Sequence, residues 1–311
     1  MSEKKSHLIV AYYHLSTIED PRQEVKLQKK FFADSSATSR IYVSEGGINC
    51  QMSAIESEAI AYMEWMRQRP NFEKLQFKVD AYHENVFPRL AIKYRRQLVA
   101  FDAHVDLTVR GEHLAPDKWK EMLEKNEGHL LLDIRNDYEW EVGRFDGAER
   151  PPCQTSRGFI QFAEDLKKRV DPKKTPVMMY CTGGIRCELF SALLKKDGFE
   201  KVYQLDGGII NYGQQQGNDH WLGKLYVFDD RMTVPIGDEQ APVVGTCHHC
   251  GVPNENYLNC ANTDCNELFL CCQECTDKFV GCCQTICTQS KRLRPYQQQS
   301  PHKPFRKLQR P

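Results

Sequence analysis

The chain has 311 residues, 41% of them hydrophobic and 27% charged, with 42 basic and 42 acidic side chains. That length calls for two or three domains. The zero net charge excludes a surface that is basic throughout, though not a local basic patch.

No apolar run approaches the ~20 residues of a membrane span. The opening MSEKKSHLIVAYYHL has no small-residue cleavage site, so the expected protein is cytoplasmic and has no membrane partner. Residues 1–100 read as β-α-β-β-α-β. HLIVAYYHL is a strand, Glu24–Phe32 a helix, and SRIYVSEGGINCQMS two strands about a Gly46-Gly47 turn. In SAIESEAIAYMEWMRQR, Ser53 is the expected N-cap of an amphipathic helix, with Glu56 completing a capping box and Pro70 beyond its end. KLQFKVDAY adds a strand, and the order predicts a ferredoxin-like α+β domain, which carries no chemistry by itself. In FPRLAIKYRRQLVAF, Arg89, Lys93 and Arg95 share one face of a strand. With Arg96 they form either an ordinary solvated face or a stripe of phosphate contacts.

Residues 101–115 read as a linker. From 116 to 230 strands and helices alternate. Pro116 opens the helix PDKWKEML, and HLLLDIR is a near-continuous apolar strand ending at Asp133. GFIQFAEDLKKRV is a helix, PVMMYC a buried strand, CELFSALLKKDGF a helix ended by Gly198, and KVYQLDGG a strand. This is the pattern of an α/β domain with a parallel sheet, whose sites lie at the carboxyl ends of strands. Cys181 lies at such an end. Residues 231–288 are cysteine-rich. Residues 289–311 carry seven Lys/Arg, no acids and four prolines, and are expected to be a basic disordered tail.

Cys181 heads the loop Thr182, Gly183, Gly184, Ile185, Arg186. A helix begins near Cys187, so unpaired N–H groups and a partial positive charge face the loop. The glycines let the backbone curl into an anion nest, and Arg186 adds a fixed charge. The thiol should therefore be held as a thiolate. The C-x4-R spacing is one residue shorter than the loop of cysteine phosphatases and fits a single terminal sulfur better than a phosphate. Cys187 is expected to be a packing residue rather than a resolving thiol.

Of 14 cysteines, ten fall between Cys247 and Cys287. In a reducing cytosol metal binding explains such a cluster better than disulfides do. Cys247-x2-Cys250 and Cys272-x2-Cys275 are two knuckles. With Cys260, Cys265, Cys282 and Cys287 they supply eight ligands, enough for two tetrahedral structural zinc ions. Cys271 is left over, as is one of Cys282 and Cys283. His248 and His249, inside the first knuckle, are expected to be bystanders. So small a segment needs metal to fold.

The span 114–217 resembles a rhodanese domain. Its marks are Asp133 and Arg135 in DIRNDYEWEVGRFDGA, the loop CTGGIR, and LDGGIINY after the next strand. Arg144 stands where many rhodaneses have histidine. Asp133 and Arg135 are expected to hold loops by charge-assisted hydrogen bonds. The whole order is an N-terminal βαββαβ domain, CTGGIRCE, GGIINYGQQQG, GKLYVFDDRM and a cysteine-rich end. Over about residues 5–288 it resembles the bacterial rhodanese-like tRNA uridine hydroxylases. That resemblance implies oxygen-dependent formation of 5-hydroxyuridine at the tRNA wobble position. It also implies Cys181 as active cysteine, tRNA as partner and molecular oxygen as co-substrate. The residues alone point instead to a sulfurtransferase that carries a Cys181 persulfide and meets a sulfur donor. A non-catalytic, zinc-stabilised RNA-binding module is the remaining alternative, and the intact Cys181–Arg186 loop speaks against it. The expected tRNA contacts are Arg89, Lys93, Arg95, Arg96 and the basic tail. Tyr212 and Trp221 are candidate stacking platforms, although core positions are the commoner use of such residues.

Overall fold

The computed structural model describes residues 6–125, 127–153, 156–237 and 241–296. They form two compact units divided between Asp102 and Ala103.

The first unit contains β1 (His7–His14), α1 (Pro21–Phe31), β2 (Thr38–Ser44), β3 (Gly47–Ile55), α2 (Glu56–Arg67), β4 (Lys78–Tyr82) and β5 (Leu90–Tyr94). The sheet order is β4-β1-β3-β2-β5, antiparallel except where β2 meets β5. Alternate strand residues, among them Val10, Tyr12, Ile41, Val43, Ile48, Cys50 and Met52, pack on Val25, Tyr62 and Met66 of the two helices. Burying each of the larger side chains contributes about 1.5–3 kcal/mol. The expected ferredoxin-like order is present, with β5 added as an edge.

Two local expectations are corrected. Helix α1 starts at Pro21, because Asp20 Oδ1 accepts from Gln23 N at 2.8 Å and proline suits the first turn. Ser53 is not an N-cap. It lies inside β3, paired with both Ile9 and Thr38, and its hydroxyl accepts from Val86 N at 2.9 Å. The cross-strand ladder outcompetes the local cap, and α2 begins after Ile55 without a side-chain cap.

The second unit begins with β6 (Glu112–Leu114), α3 (Pro116–Lys125), β7 (Leu130–Asp133), α4 (Asp137–Val142), β8 (Gly143–Phe145) and α5 (Phe159–Arg169). It continues with β9 (Val177–Tyr180), α6 (Ile185–Lys196), β10 (Val202–Leu205) and α7 (Gly208–Gln216). Strands β6-β10-β9-β7 form a parallel sheet, and all four residues of β9 are buried. Helices α3 and α7 meet through Trp119, Ile209 and Tyr212 over Met178, Tyr180 and Leu205. Helices α5 and α6 meet through Phe159 and Phe190, 4.8 Å between ring centroids. The segment expected to be a linker contributes β6, where Leu114 pairs with Leu205 and is buried.

The remainder holds β11 (Trp221–Gly223), which pairs with β8, then β12 (Leu225–Tyr226) with β13 (Thr233–Val234). It closes with β14 (Tyr257–Asn259), β15 (Leu268–Leu270) and α8 (Gln273–Lys278). The expected disordered tail is corrected in its first part. Leu293 bridges Asn262, and Arg294 N donates to Ala261 O at 2.9 Å. Residues 297–311 of that tail lie outside the described residues. No helix among the described residues is long and apolar enough to cross a membrane.

Candidate functional site

Four residues, Cys181 to Gly184, link the end of β9 to the start of α6. Gly184 occupies the left-handed region (φ 103°) at the N-cap, and its N–H donates to Cys181 Sγ at 3.1 Å. The loop is gripped from outside by the start of α7. Ile209 N donates to Cys181 O at 3.0 Å and Ile210 N to Thr182 O at 3.1 Å. A Cβ on Gly208 would sit 2.5 Å from Cys181 O, so only glycine permits this approach. That is the physical content of LDGG. Beside Gly183, by contrast, an added Cβ would meet nothing within 4 Å.

Arg186 does not serve Cys181 alone. Its Nη1 donates to Glu139 Oε2 at 2.5 Å and its Nη2 to Glu139 Oε1 at 2.8 Å. Thr182 Oγ1 donates to Glu139 Oε1 at 2.7 Å. Glu139 is fully buried on α4, and sequence reasoning missed it. The signal present, Asn136-x-x-Glu139, reads as a helix start, and Asn136 N does donate to Glu139 Oε2 at 3.1 Å. Burial pushes the Glu139 carboxyl up, but the Arg186 and Arg135 charges and the hydrogen bonds from Arg186 and Thr182 together hold it below its usual range. Changing Glu139 to alanine strands the Arg186 charge in a buried place. We expect a loss of about 3–5 kcal/mol, read as a lower urea midpoint.

Cys181 is itself buried, which opposes ionisation. A hydrogen bond from the Cys187 thiol, the Arg186 charge and the backbone N–H groups of Arg186 and Cys187 outweigh burial and lower the Cys181 thiol to about 5. Cys187 is buried as expected for packing, but it also donates to Cys181. Its own thiol is pushed well up by burial and by that donation. The arrangement holds an anionic sulfur at a helix N-terminus at neutral pH.

Asp133 and Arg135 form a fully buried pair, with Arg135 Nε 2.8 Å from Asp133 Oδ1 and Nη2 2.6 Å from Oδ2. Arg135 Nη2 also donates to Gly143 O at 2.6 Å, and its guanidinium lies 5.2 Å from the Trp221 ring. The pair ties the end of β7 to β8. Arg144 lies over Trp140, 4.8 Å from its ring, and lines a cavity of about 450 Å³ with His248 and Phe269.

Tyr212 and Trp221 are corrected as stacking platforms. Both are buried against Phe145, at 4.8 and 5.2 Å between ring centroids. The Tyr212 hydroxyl donates to Asp219 O, and Trp221 Nε1 donates to Gly223 O. Arg89, Lys93, Arg95 and Arg96 are exposed on or beside the edge strand β5 of the first unit.

The cysteines of the last segment gather into two sets, Cys247, Cys250, Cys272, Cys275 and Cys260, Cys265, Cys283, Cys287. Within each set the sulfurs lie within 4.8 Å of one another. Two edges measure 3.7 Å (Cys250–Cys272) and 3.6 Å (Cys265–Cys283). A tetrahedron of thiolates about 2.3 Å from a zinc ion has edges of about 3.8 Å, so each set fits a metal ion. Cys282 is corrected to Cys283. Neighbouring side chains diverge, and Cys282 Sγ turns instead toward Val280 O at 3.7 Å. His248 and His249 lie outside both sets. His249 stacks on Phe279 and bonds Cys282 O at 2.9 Å. The segment is anchored on α4, where the Tyr257 hydroxyl donates to Tyr138 O at 2.5 Å and meets Glu141 Oε2 at 3.1 Å.

Family models match three stretches: a UPF0176 acylphosphatase-like domain at residues 7–98, a rhodanese-like domain at 115–215 and a rhodanase C-terminal region at 222–288. The chain is similar to the tRNA uridine(34) hydroxylase of Protochlamydia amoebophila, 61% identical over 307 residues, spanning 99% of this chain and 96% of that one. The chain belongs to the tRNA uridine(34) hydroxylase family. A family member from Chlamydia pneumoniae is 49% identical over 306 residues, covering 98% of this chain and 94% of its own. Among solved structures, the rhodanese-like domain of an Anabaena sp. protein is 21% identical, with a TM-score of 0.30. It covers 36% of this chain and 78% of its own. Membership of this family bears out the resemblance read from CTGGIRCE, VFDDRM and the cysteine-rich end.

Proposed function

We propose that this chain forms 5-hydroxyuridine at the wobble position of tRNA, with Cys181 as the reacting group and molecular oxygen as co-substrate. The observation that carries this reading is an intact Cys181 loop in a chain 61% identical, end to end, to a tRNA uridine(34) hydroxylase. Cys181 is buried, so a reacting base has to be turned out of its stack to reach it. The thiolate, or a persulfide built on it, adds to uracil C6. Electron density then concentrates at C5, where one oxygen atom is added. Loss of the C5 proton and cleavage of the C6–S bond then restore the C5=C6 double bond, giving C5–OH and freeing the sulfur anion. With dioxygen as the source, the second oxygen atom leaves as water and a reductant supplies two electrons. Glu139 and Arg186 position the loop, and the N–H groups at the start of α6 hold the sulfur as an anion.

Two zinc ions complete this reading, one on Cys247, Cys250, Cys272 and Cys275, the other on Cys260, Cys265, Cys283 and Cys287. Bound there, each supplies structural cross-linking, because four protein ligands leave no open position. Arg89, Lys93, Arg95 and Arg96 contact tRNA phosphates, and the protein works in the cytoplasm, where tRNA is processed. The test is nucleoside mass spectrometry of tRNA from a deletion strain before and after the gene is restored. 5-Hydroxyuridine should vanish and return. Unchanged tRNA together with thiocyanate formation from thiosulfate and cyanide would instead make Cys181 a sulfur carrier.

A further inference from the structure

Among the described residues, the helices of the first unit pack on one face of its sheet. Tyr12, Ile41, Val43, Ile48 and Cys50 point into the core, so their neighbours in sequence point to the other face. The strand registers line these neighbours up in two rows. In the first, Tyr13 on β1 stands opposite Asn49 on β3, Asn49 opposite Tyr42 on β2, and Tyr42 level with Lys93 on β5. In the second, Lys78 on β4 faces Ala11, then come Gln51, Arg40 and Ala91.

Neither row contains an acidic side chain, although the chain as a whole is balanced at 42 basic and 42 acidic residues. Each tyrosine carries a cation at its ring. Lys78 Nζ lies 5.3 Å from the Tyr13 centroid, and Arg95 Cζ lies 5.0 Å from that of Tyr42. Both rings are partly exposed, as are Asn49, Gln51 and Arg40. The connection from β4 to β5 does reach this face, where Val86 and Phe87 pack on Ile9. That contact lies two to four residues along β1 from Ala11 and Tyr13, or about 7–14 Å.

We propose that this sheet face is a platform for single-stranded RNA. It stacks unpaired bases on Tyr13 and Tyr42, reads base edges with the Asn49 and Gln51 amides, and holds phosphates with Lys78, Arg40, Lys93 and Arg95. The identification of the RNA as the substrate's own loop rests on the function proposed above. The chemistry favours RNA over a protein partner. Flat rings flanked by cations, with amides between them and no carboxylate in either row (Asp80 stands in the adjoining row, opposite Ile9), suit a polyanion with π-faces. Two strand spacings separate the rings by roughly 10 Å, wide enough for each to stack on a separate base.

The test uses the full chain with Tyr13→Ala, Tyr42→Ala, the double variant, and the Tyr→Phe double variant. Affinity is measured for a stem–loop carrying the anticodon loop and for a fully paired duplex. Each alanine change should weaken stem–loop binding about tenfold or more, with kcat/KM for hydroxylation falling in step. Duplex binding should change little, and the phenylalanine variant should restore affinity. Unaltered stem–loop affinity in the double alanine variant overturns the platform, even if that protein still hydroxylates tRNA. So does an equal loss for duplex and stem–loop, or failure of phenylalanine to restore binding in a protein that melts like the wild type. An altered oligomeric state with unchanged RNA affinity also overturns it and makes the face a protein contact. If the wild-type protein binds the stem–loop through these rings but makes no 5-hydroxyuridine, the platform stands and the proposed reaction falls.

Discussion

Cys181→Ser protein is expected to keep its fold and lose hydroxylation of wobble uridine by about a thousandfold or more, as nucleophile removal does elsewhere. Serine nearly matches cysteine in volume, and Gly184 N can still donate to its side chain. What disappears is an anion at neutral pH. With its thiol lowered to about 5 from the usual 9.0, Cys181 is ionised over the physiological range. Wild-type kcat should therefore rise as pH climbs through about 5 and then hold. The folded pKa lies below the unfolded one, so the same ionisation stabilises the native state fully above pH ~9. That contribution shrinks from there as pH falls, and is gone once pH passes below about 5. Ultraviolet thiolate absorbance, wild type minus Cys181→Ser, measures the titration directly. A serine variant working at the wild-type rate removes Cys181 from the chemistry.

Metal removal is the second large effect. Mass spectrometry of native protein is expected to find two zinc ions per chain. A zinc set of this kind is worth about 10–16 kcal/mol in small peptides at neutral pH. A strong chelator should therefore unfold residues 245–288, seen as loss of protection from hydrogen exchange. Cys283→Ser protein should retain one ion and Cys282→Ser both, since Cys283 Sγ joins Cys260, Cys265 and Cys287. Retention of two ions by the Cys283 variant would refute the second set.

These results also mark where sequence reasoning ends. Alternating strand and helix patterns located the parallel sheet and placed Cys181 at a strand end, because burial on both faces makes a strand read as a continuous apolar run. Knuckle spacing found seven of the eight gathered cysteines, and only backbone direction decides between the adjacent Cys282 and Cys283. Glu139 was hidden for a different reason. Its partner Arg186 is 47 residues away, and such pairing leaves no periodic trace. Ser53 was misread because local capping was weighed without the ladder to β1 and β2. Strand β6 was overlooked because three residues are too few to show a pattern. Tyr212 and Trp221 are amphipathic side chains whose polar atoms found backbone partners in the core, a choice composition does not announce.

The Tyr257 contact with α4 has a temporal consequence. Synthesis proceeds from the N-terminus, so the cysteine-rich segment leaves the ribosome last. Helix α4 carries Glu139, and Tyr257 braces it through Tyr138 O and Glu141 Oε2, on either side of that residue. A nascent rhodanese-like domain therefore lacks that brace until the final segment has emerged and folded. The Cys181 thiolate is then expected to reach its full ionisation only once the chain is complete. Metal-stripped protein is accordingly expected to show Cys181 titrating above its value in the metal-loaded chain, again by thiolate absorbance against Cys181→Ser. Identical titrations would uncouple the cysteine-rich segment from the Cys181 loop.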